Sequence, residues 1–437
     1  MDQIKIIYEK FIGSTGICTD TRAILTGGIF FALKGSNFNG NTFAKQALDS
    51  GSILVVMDED PGFIDSRIIQ VDDALSTLQQ LANYHRMLLK IPFIAITGSN
   101  GKTTTKELIS RVLAEKYRTL FTKGNLNNHI GVPLTLLSVT KEHQIAVIEM
   151  GANHQQEIEM LCNIAQPTHV LITNIGKAHL EGFGGFEGVK KGKGEMYAYA
   201  KANEAVIFIN DDNPILKEML GTYDKKIKYG NASDCNISGK QLTGNSYVHL
   251  EWRKKEDSGY HLIKSQITGN YNFENILSSI TIGSYFGIEE AAIKRAIENY
   301  IPDNQRSQEL VKGTIKILLD AYNANPTSME AALRNFKTGI KGKSAIFLGD
   351  MLELGEEAEK EHLAIIRLVE SYKFDLVVLV GANFKLAGNN FKANYFNTSA
   401  EALTWLRSQD LNGYQLLIKG SRGSKMEVLL DGLNSTT

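Results

Sequence analysis

The chain lacks the patterns that mark secretion, membranes or nucleic-acid binding. Its 437 residues include only three cysteines, Cys18, Cys162 and Cys235, far apart and in no C-x-x-C arrangement. That number and spacing argue against a disulfide framework and a zinc site, and predict buried thiols in a reducing cytoplasm. No apolar run approaches the ~20 residues that a membrane helix needs. The start, Met1-Asp2-Gln3-Ile4-Lys5, has no signal-peptide core. With 47 basic and 48 acidic side chains the formal net charge is −1, and no long block of one sign occurs. Nucleic acid and anionic membranes are therefore disfavoured as partners. No fixed-period repeat and no low-complexity tract is visible.

What is present is ordinary globular composition, 43% apolar and 22% charged, in a chain long enough for about three domains. Residues 1–90 carry short apolar runs at 28–33 and 53–57, a glycine-punctuated loop at 34–41 and a helical pattern at 74–89. From 91 to 302 the pattern alternates between strand and helix, with strands expected at 93–96, 145–148, 170–172 and 205–209. Residues 303–437 repeat the alternation, with strands at 315–319, 345–348, 376–380 and 416–418 and helices at 328–336, 356–371 and 400–407. Such alternation predicts α/β domains with mostly parallel sheets, and Pro302 to Gln305 is a plausible hinge. Ligands of such sheets sit beyond the carboxyl ends of strands. The middle runs end in Thr97, Glu149, Thr173-Asn174 and Asn210-Asp211-Asp212, so one shared pocket is expected to collect them.

The most informative stretch is Gly98-Ser99-Asn100-Gly101-Lys102-Thr103-Thr104, which joins an apolar strand to a segment read as helical from Lys106. Small residues let backbone N–H groups converge on an anion, a helix N-terminus adds partial positive charge, and Lys102 can reach terminal phosphates. Thr103 then offers a hydroxyl to magnesium. Ile96 stands where a standard phosphate loop has its first glycine, so the pattern is narrower than the generic one. A plain glycine turn is the alternative.

Glu149, ending a strand, is placed for magnesium on a triphosphate, or else caps a helix. His179 lies in a polar loop and is either a second metal ligand or a surface residue. Lys190, Lys191 and Lys193 form either a solvated basic face or a group in which neighbouring charges depress one lysine pKa. With a reference near 10.4 only about one lysine in a few thousand is neutral at pH 7, and a neutral amine can add carbon dioxide to give a metal-binding carbamate. Asn272 and Asn275 share a helix face and can bond one adenine, or can cap the helix. Arg306 can neutralise a transferring phosphoryl group on domain closure, or form an interdomain salt bridge. Lys419, Ser421 and Arg422 follow a strand, where Arg422 can grip a carboxylate through two hydrogen bonds.

Together these residues resemble the Mur ligases, ATP-dependent amide-forming enzymes of peptidoglycan synthesis. The likeness spans nearly the whole chain through the loop 98–103 and the stretches 124–135, 320–326 and 348–355. It implies a UDP-sugar domain (1–90), a central ATP-binding domain with a phosphate loop (91–302) and a C-terminal Rossmann-like domain for the incoming dipeptide (303–437). The implied substrates are ATP, UDP-N-acetylmuramoyl-tripeptide and D-alanyl-D-alanine, handled by a cytoplasmic monomer. By the same resemblance Lys102 and Thr103 hold the triphosphate, and two Mg2+ ions are bound through Thr103, Glu149, His179 and a carbamylated Lys193. Asn272 and Asn275 contact adenine, Arg306 approaches the phosphates, Asp320 with Tyr322 receives the nucleotide, and Asn127 and Asn128 face substrate. Thr21, Arg22 and Asn39 are matched to UDP contacts, although Asn39 and Asn41 replace the family's commoner acid and imidazole.

Three other readings stay open: a different Mur ligase step, folylpolyglutamate synthase, and an ATP-dependent switch or binding protein. The roughly 90 residues ahead of the phosphate loop favour the peptidoglycan branch over the second.

Overall fold

Three parallel-rich sheets follow one another in the computed structural model, which describes residues 2–244, 247–388 and 391–433. In the first, strands Ile17–Cys18, Ile29–Phe31, Leu54–Met57 and Ile68–Gln70 all pair in parallel. Ile29–Phe31 and Leu54–Met57 are wholly buried, as strands covered on both faces must be. The helix Ala74–Leu88 is capped by Asp73, which accepts from Ser76 N. Its far end binds the middle domain: His85 Nε2 lies 2.8 Å from Val139 O, and the Arg86 guanidinium donates to the carbonyls of Ala165 and Gln166.

The middle sheet has nine strands, in the order His261–Thr268, Tyr247–Lys254, Ile237–Leu242, Lys226–Gly230, Val206–Asn210, His169–Ile172, Phe93–Thr97, Ile145–Glu149 and Thr119–Phe121. His261–Thr268 and Tyr247–Lys254 are antiparallel partners at one edge, and every pairing from Ile237–Leu242 to Thr119–Phe121 is parallel. Phe93–Thr97 lies between His169–Ile172 and Ile145–Glu149 although it precedes both in sequence. The chain therefore changes direction across the sheet at this strand, which opens a crevice at its carboxyl end.

In the third sheet Gln308–Lys312 pairs antiparallel with Ile315–Asp320. Gln415–Lys419, Ser344–Gly349, Leu376–Val380 and Asn394–Phe396 then continue it in parallel. The fold is thus the expected α/β architecture of three domains. Four strands between 226 and 268 go beyond those expected, and the helix after the phosphate loop begins at Lys102 rather than Lys106. All three cysteines are buried free thiols. Among the described residues no helix is long and apolar enough to cross a membrane.

Candidate active site

The crevice at the end of Phe93–Thr97 is a cavity of about 590 Å³, within the ~300–1,000 Å³ usual for small-molecule sites. The phosphate loop forms its floor. Gly98 has φ +141° and Gly101 φ +79°, and a Cβ on either would strike Thr173 Oγ1 at 2.0 Å or Asn275 Oδ1 at 2.6 Å, so glycine is required at both. Neighbouring loops hold the turn: Asn100 N donates to Asn174 Oδ1, Thr173 Oγ1 donates to Asn100 O, and Gly176 N donates to Ser99 Oγ. A loop fixed in this way presents its N–H groups without further ordering cost.

Lys102 opens the helix Lys102–Ala114, and its ammonium donates to Gly98 O at 2.7 Å. Desolvation in the cleft lowers its pKa from 10.5 to about 8, against the pull of Glu149. Thr103 Oγ1 and Asn127 Nδ2 both donate to Glu149 Oε1, at 3.3 and 2.8 Å. Glu149 is 2% exposed, and its other oxygen, Oε2, is buried with no hydrogen-bond partner among the described residues. A buried carboxylate oxygen left bare beside a threonine hydroxyl is a donor set suited to a hard divalent cation.

Lys193 lies one layer behind this wall. It is 0% exposed, donates to Ala152 O at 3.0 Å and lies 5.0 Å from the centre of the Phe183 ring. Burial holds its pKa well below the usual lysine range, and the Lys102 charge adds to the shift. The solvated basic face foreseen as one alternative is therefore wrong for Lys193; Lys191 alone of the three is fully exposed. Burial, more than the neighbouring charges invoked from sequence, is the cause.

His179 lines the cavity, and its Nδ1 lies 2.5 Å from Oε2 of Glu353 in the third domain. Asn272 and Asn275 also line it. Asn275 Nδ2 donates to Asn272 Oδ1, and Asn275 Oδ1 accepts from Thr105, so the pair is tied to the phosphate-loop helix and each amide nitrogen keeps a hydrogen to donate. Arg306 reaches the cavity from a segment with positive φ on both sides, at Gln305 and Ser307. Its guanidinium stacks 3.9 Å above the Tyr322 ring, while Nε is buried and has no hydrogen-bond partner among the described residues. The expected hinge is anchored here, since Asn304 and Tyr300 both donate to Glu107.

Asp320 completes this side, with Lys419 donating to Oδ2 at 2.5 Å and Ser307 N to Oδ1. Asn128 also lines the cavity and accepts from Ile130 N and Gly131 N at the start of a helix.

Other expected site residues lie outside the cavity. Ser421 Oγ donates to Ala324 O and accepts from Leu352 N, and so acts as a clamp between loops; Arg422 is exposed. Thr21 follows the strand Ile17–Cys18, and Asn39 ends the short strand Phe38–Asn39, paired antiparallel with Lys34–Gly35; Arg22 pairs with Asp20, and Asn39 donates to Glu59. The shared pocket is also narrower than foreseen. Thr97 is buried and donates to Met150 O, Asp211 pairs with Lys228, and Asp212 accepts from Asn231, so these ends turn to structural partners. Glu353 was missed because nothing local in its sequence signals a partner 174 residues away.

A phosphate loop at the switch point of a parallel sheet, with a carboxylate beside it and an arginine from a following domain, defines a nucleotide-binding α/β enzyme. The description of the Mur ligase middle domain matches residues 96–283, and that of the Mur ligase, glutamate ligase domain matches 305–422. The chain belongs to the Mur ligase family. It is 34% identical to the UDP-N-acetylmuramoyl-tripeptide–D-alanyl-D-alanine ligase of Bacillus subtilis, over 98% of this chain and 94% of that one. MurF from Acinetobacter baumannii superposes with a TM-score of 0.86 at 30% identity over 98% of both chains. Folylpolyglutamate synthase of Mycobacterium tuberculosis, 14% identical and covering 82% of this chain and 94% of its own, shares the fold with a TM-score of 0.64.

Proposed function

We propose that this chain is an ATP-dependent ligase joining D-alanyl-D-alanine to UDP-N-acetylmuramoyl-tripeptide in peptidoglycan precursor synthesis. The observation that carries this reading is the meeting of the phosphate loop, Glu149 and Arg306 in one cavity, in a chain matching a relative named for that reaction over nearly its full length. The first domain, 1–90, takes the UDP sugar through Thr21, Arg22 and Asn39, beyond the carboxyl ends of its strands. The middle domain, 91–302, takes ATP, with Asn272 and Asn275 at the base and Asp320 and Tyr322 closing over the nucleotide. The third domain, 303–437, takes the dipeptide. Lys419 is already held by Asp320, which leaves the exposed Arg422 for the dipeptide carboxylate.

A carboxylate is a poor electrophile, so ATP must activate it. A terminal oxygen of the tripeptide attacks the γ-phosphorus, the bond to the β-phosphate oxygen breaks, and ADP leaves an acyl phosphate behind. The dipeptide's free amine then adds to the acyl carbon and gives up a proton, and phosphate departs with the C–O electron pair. Lys102 and Arg306 offset charge that spreads over the transferring phosphoryl group. Closure of the third domain excludes water that would hydrolyse the intermediate.

Magnesium fits the donor set: Thr103 and Glu149, with its bare Oε2, suit one ion, and His179 with a carbamate on Lys193 suits a second. When bound, the ions supply charge neutralisation on the phosphates. Burial disfavours the ammonium form of Lys193 and so favours the amine that carbamylation requires, and among the described residues no carboxylate forms a salt bridge with it. The enzyme works as a cytoplasmic monomer, without nucleic acid or membrane insertion.

The test is isotopic. Tripeptide substrate labelled with 18O in its terminal carboxylate should pass one labelled oxygen into the released inorganic phosphate. Phosphate without label would rule out the acyl phosphate.

A further inference from the structure

The contact between His179 and Glu353 has no counterpart in the local sequence of either residue. His179 follows a strand of the middle sheet and lines the nucleotide cavity, whereas Glu353 belongs to the loop after Ser344–Gly349 in the third domain. The loop bearing Glu353 is rigidly held. The Asp350 carboxylate accepts from Asn383 N and Phe384 N, Met351 N donates to His362 Nε2, and Leu352 N donates to Ser421 Oγ. Glu353 itself has φ +62°, uncommon for a residue with a side chain, and its carbonyl accepts from Glu181 N two residues beyond the histidine. Two bonds thus tie the histidine's short segment to this loop, one through the ring and one through the backbone.

An imidazole donating its Nδ1 proton to a carboxylate has its lone pair on Nε2, in the tautomer that ligates metals, and the carboxylate raises that nitrogen's basicity.

We infer that Glu353 is a positioning residue: by seating against the middle domain it sets the tautomer and orientation of His179, so that the second metal position is completed only when the third domain is docked. This rests on the reading of His179 as a metal ligand. It makes docking a condition for the second ion, which ties charge neutralisation at the phosphates to the arrival of the domain that carries the amine substrate.

The interface supplies its own control. Lys177, two residues before His179, pairs with the buried Glu361 of the third domain at 2.5 Å, so Glu361→Gln weakens docking without touching the histidine. The experiment is Mn2+ binding to full-length protein with a non-hydrolysable ATP analogue and tripeptide, followed by electron paramagnetic resonance. Wild type should bind two ions. Glu353→Ala should weaken the second by about 10- to 100-fold and leave the first unchanged. Glu353→Gln, which keeps an acceptor, should recover part of the loss, and Glu361→Gln, which loosens docking but keeps the Glu353 carboxylate, should weaken the second ion by less than Glu353→Ala does and leave the first unchanged. Unchanged Mn2+ binding in Glu353→Ala, or equal weakening in Glu361→Gln, would overturn the inference and leave the ligase reading standing. A wild-type protein that binds only one ion would overturn the inference together with the reading of His179 beneath it.

Discussion

The side-chain amide of Asn325, in the third domain, donates to Oδ1 of Asn100 in the phosphate loop at 2.8 Å. The third domain therefore touches the nucleotide loop itself. Asn325 also caps the helix Pro326–Gly339 in a reciprocal pair with Ser328, so the reporting group is held rigid. Asn100 is the cleaner position to change, since Asn325 is its side chain's one recorded hydrogen-bond partner among the described residues. With one hydrogen bond worth about 1 kcal/mol, Asn100→Ala should lower kcat/KM for ATP roughly fivefold. Denaturant midpoints should move little. A large stability loss without a kinetic effect would assign this contact to folding alone.

Glu149→Gln separates function from stability. The amide oxygen can still accept from Thr103 and Asn127, and the change removes a buried charge whose second oxygen has no partner. Thermal unfolding without nucleotide should stay level or rise, because a buried carboxylate oxygen without a hydrogen bond costs free energy. Ligation, measured as phosphate release with both peptide substrates, should fall at least about a hundredfold for loss of an anionic metal ligand, ~3 kcal/mol of transition-state stabilisation.

Much of this was legible in the sequence. Strands such as Phe93–Thr97 and Ile145–Glu149 are short continuous apolar runs because both faces are buried, and the glycine loop between strand and helix fixed the site. The antiparallel strands Tyr247–Lys254 and His261–Thr268 escaped notice because one face meets solvent. Their signal was the alternation of Val248, Leu250 and Trp252, and of Ile263, Ser265 and Ile267, diluted by charged neighbours. The burial of Lys193 was hidden for a related reason. It sits between glycines and near other lysines, and only the packing of its helix on the sheet turns it inward. Pairings such as His179 with Glu353 depend on domain docking and leave no local pattern.

Lys102 makes stability depend on pH in a defined direction. In the unfolded chain it keeps its proton up to about 10.5, whereas in the folded cleft desolvation releases it near 8. Between those values the unfolded state binds more protons, so stability without nucleotide should rise with pH across this window. Lys102→Met should flatten that rise. Urea unfolding of both proteins at pH 8 and pH 10 measures the difference, and parallel slopes would contradict it.

The carbamate on Lys193 predicts a carbon-13 signal after exchange with labelled bicarbonate. Lys193→Arg should lack the signal and lose ligation, because a guanidinium stays protonated and cannot add carbon dioxide. Removal of carbon dioxide should slow the wild type reversibly, with bicarbonate restoring it.

At the dipeptide, Arg422→Ala should raise KM for D-alanyl-D-alanine about tenfold, the ~1.5 kcal/mol of a charge-assisted hydrogen bond, with KM for ATP unchanged. Ser421→Ala should instead lower stability by about 1 kcal/mol, since its hydroxyl joins Ala324 to Leu352.

The most direct test is product formation by purified protein given ATP, magnesium, UDP-N-acetylmuramoyl-tripeptide and D-alanyl-D-alanine, followed by mass spectrometry with ADP measured in parallel. One ADP should appear for each UDP-linked pentapeptide, and turnover should collapse when the dipeptide is withheld. Sustained ATP hydrolysis that ignores the dipeptide, with no pentapeptide formed, would contradict the ligase account and favour a nucleotide-driven switch.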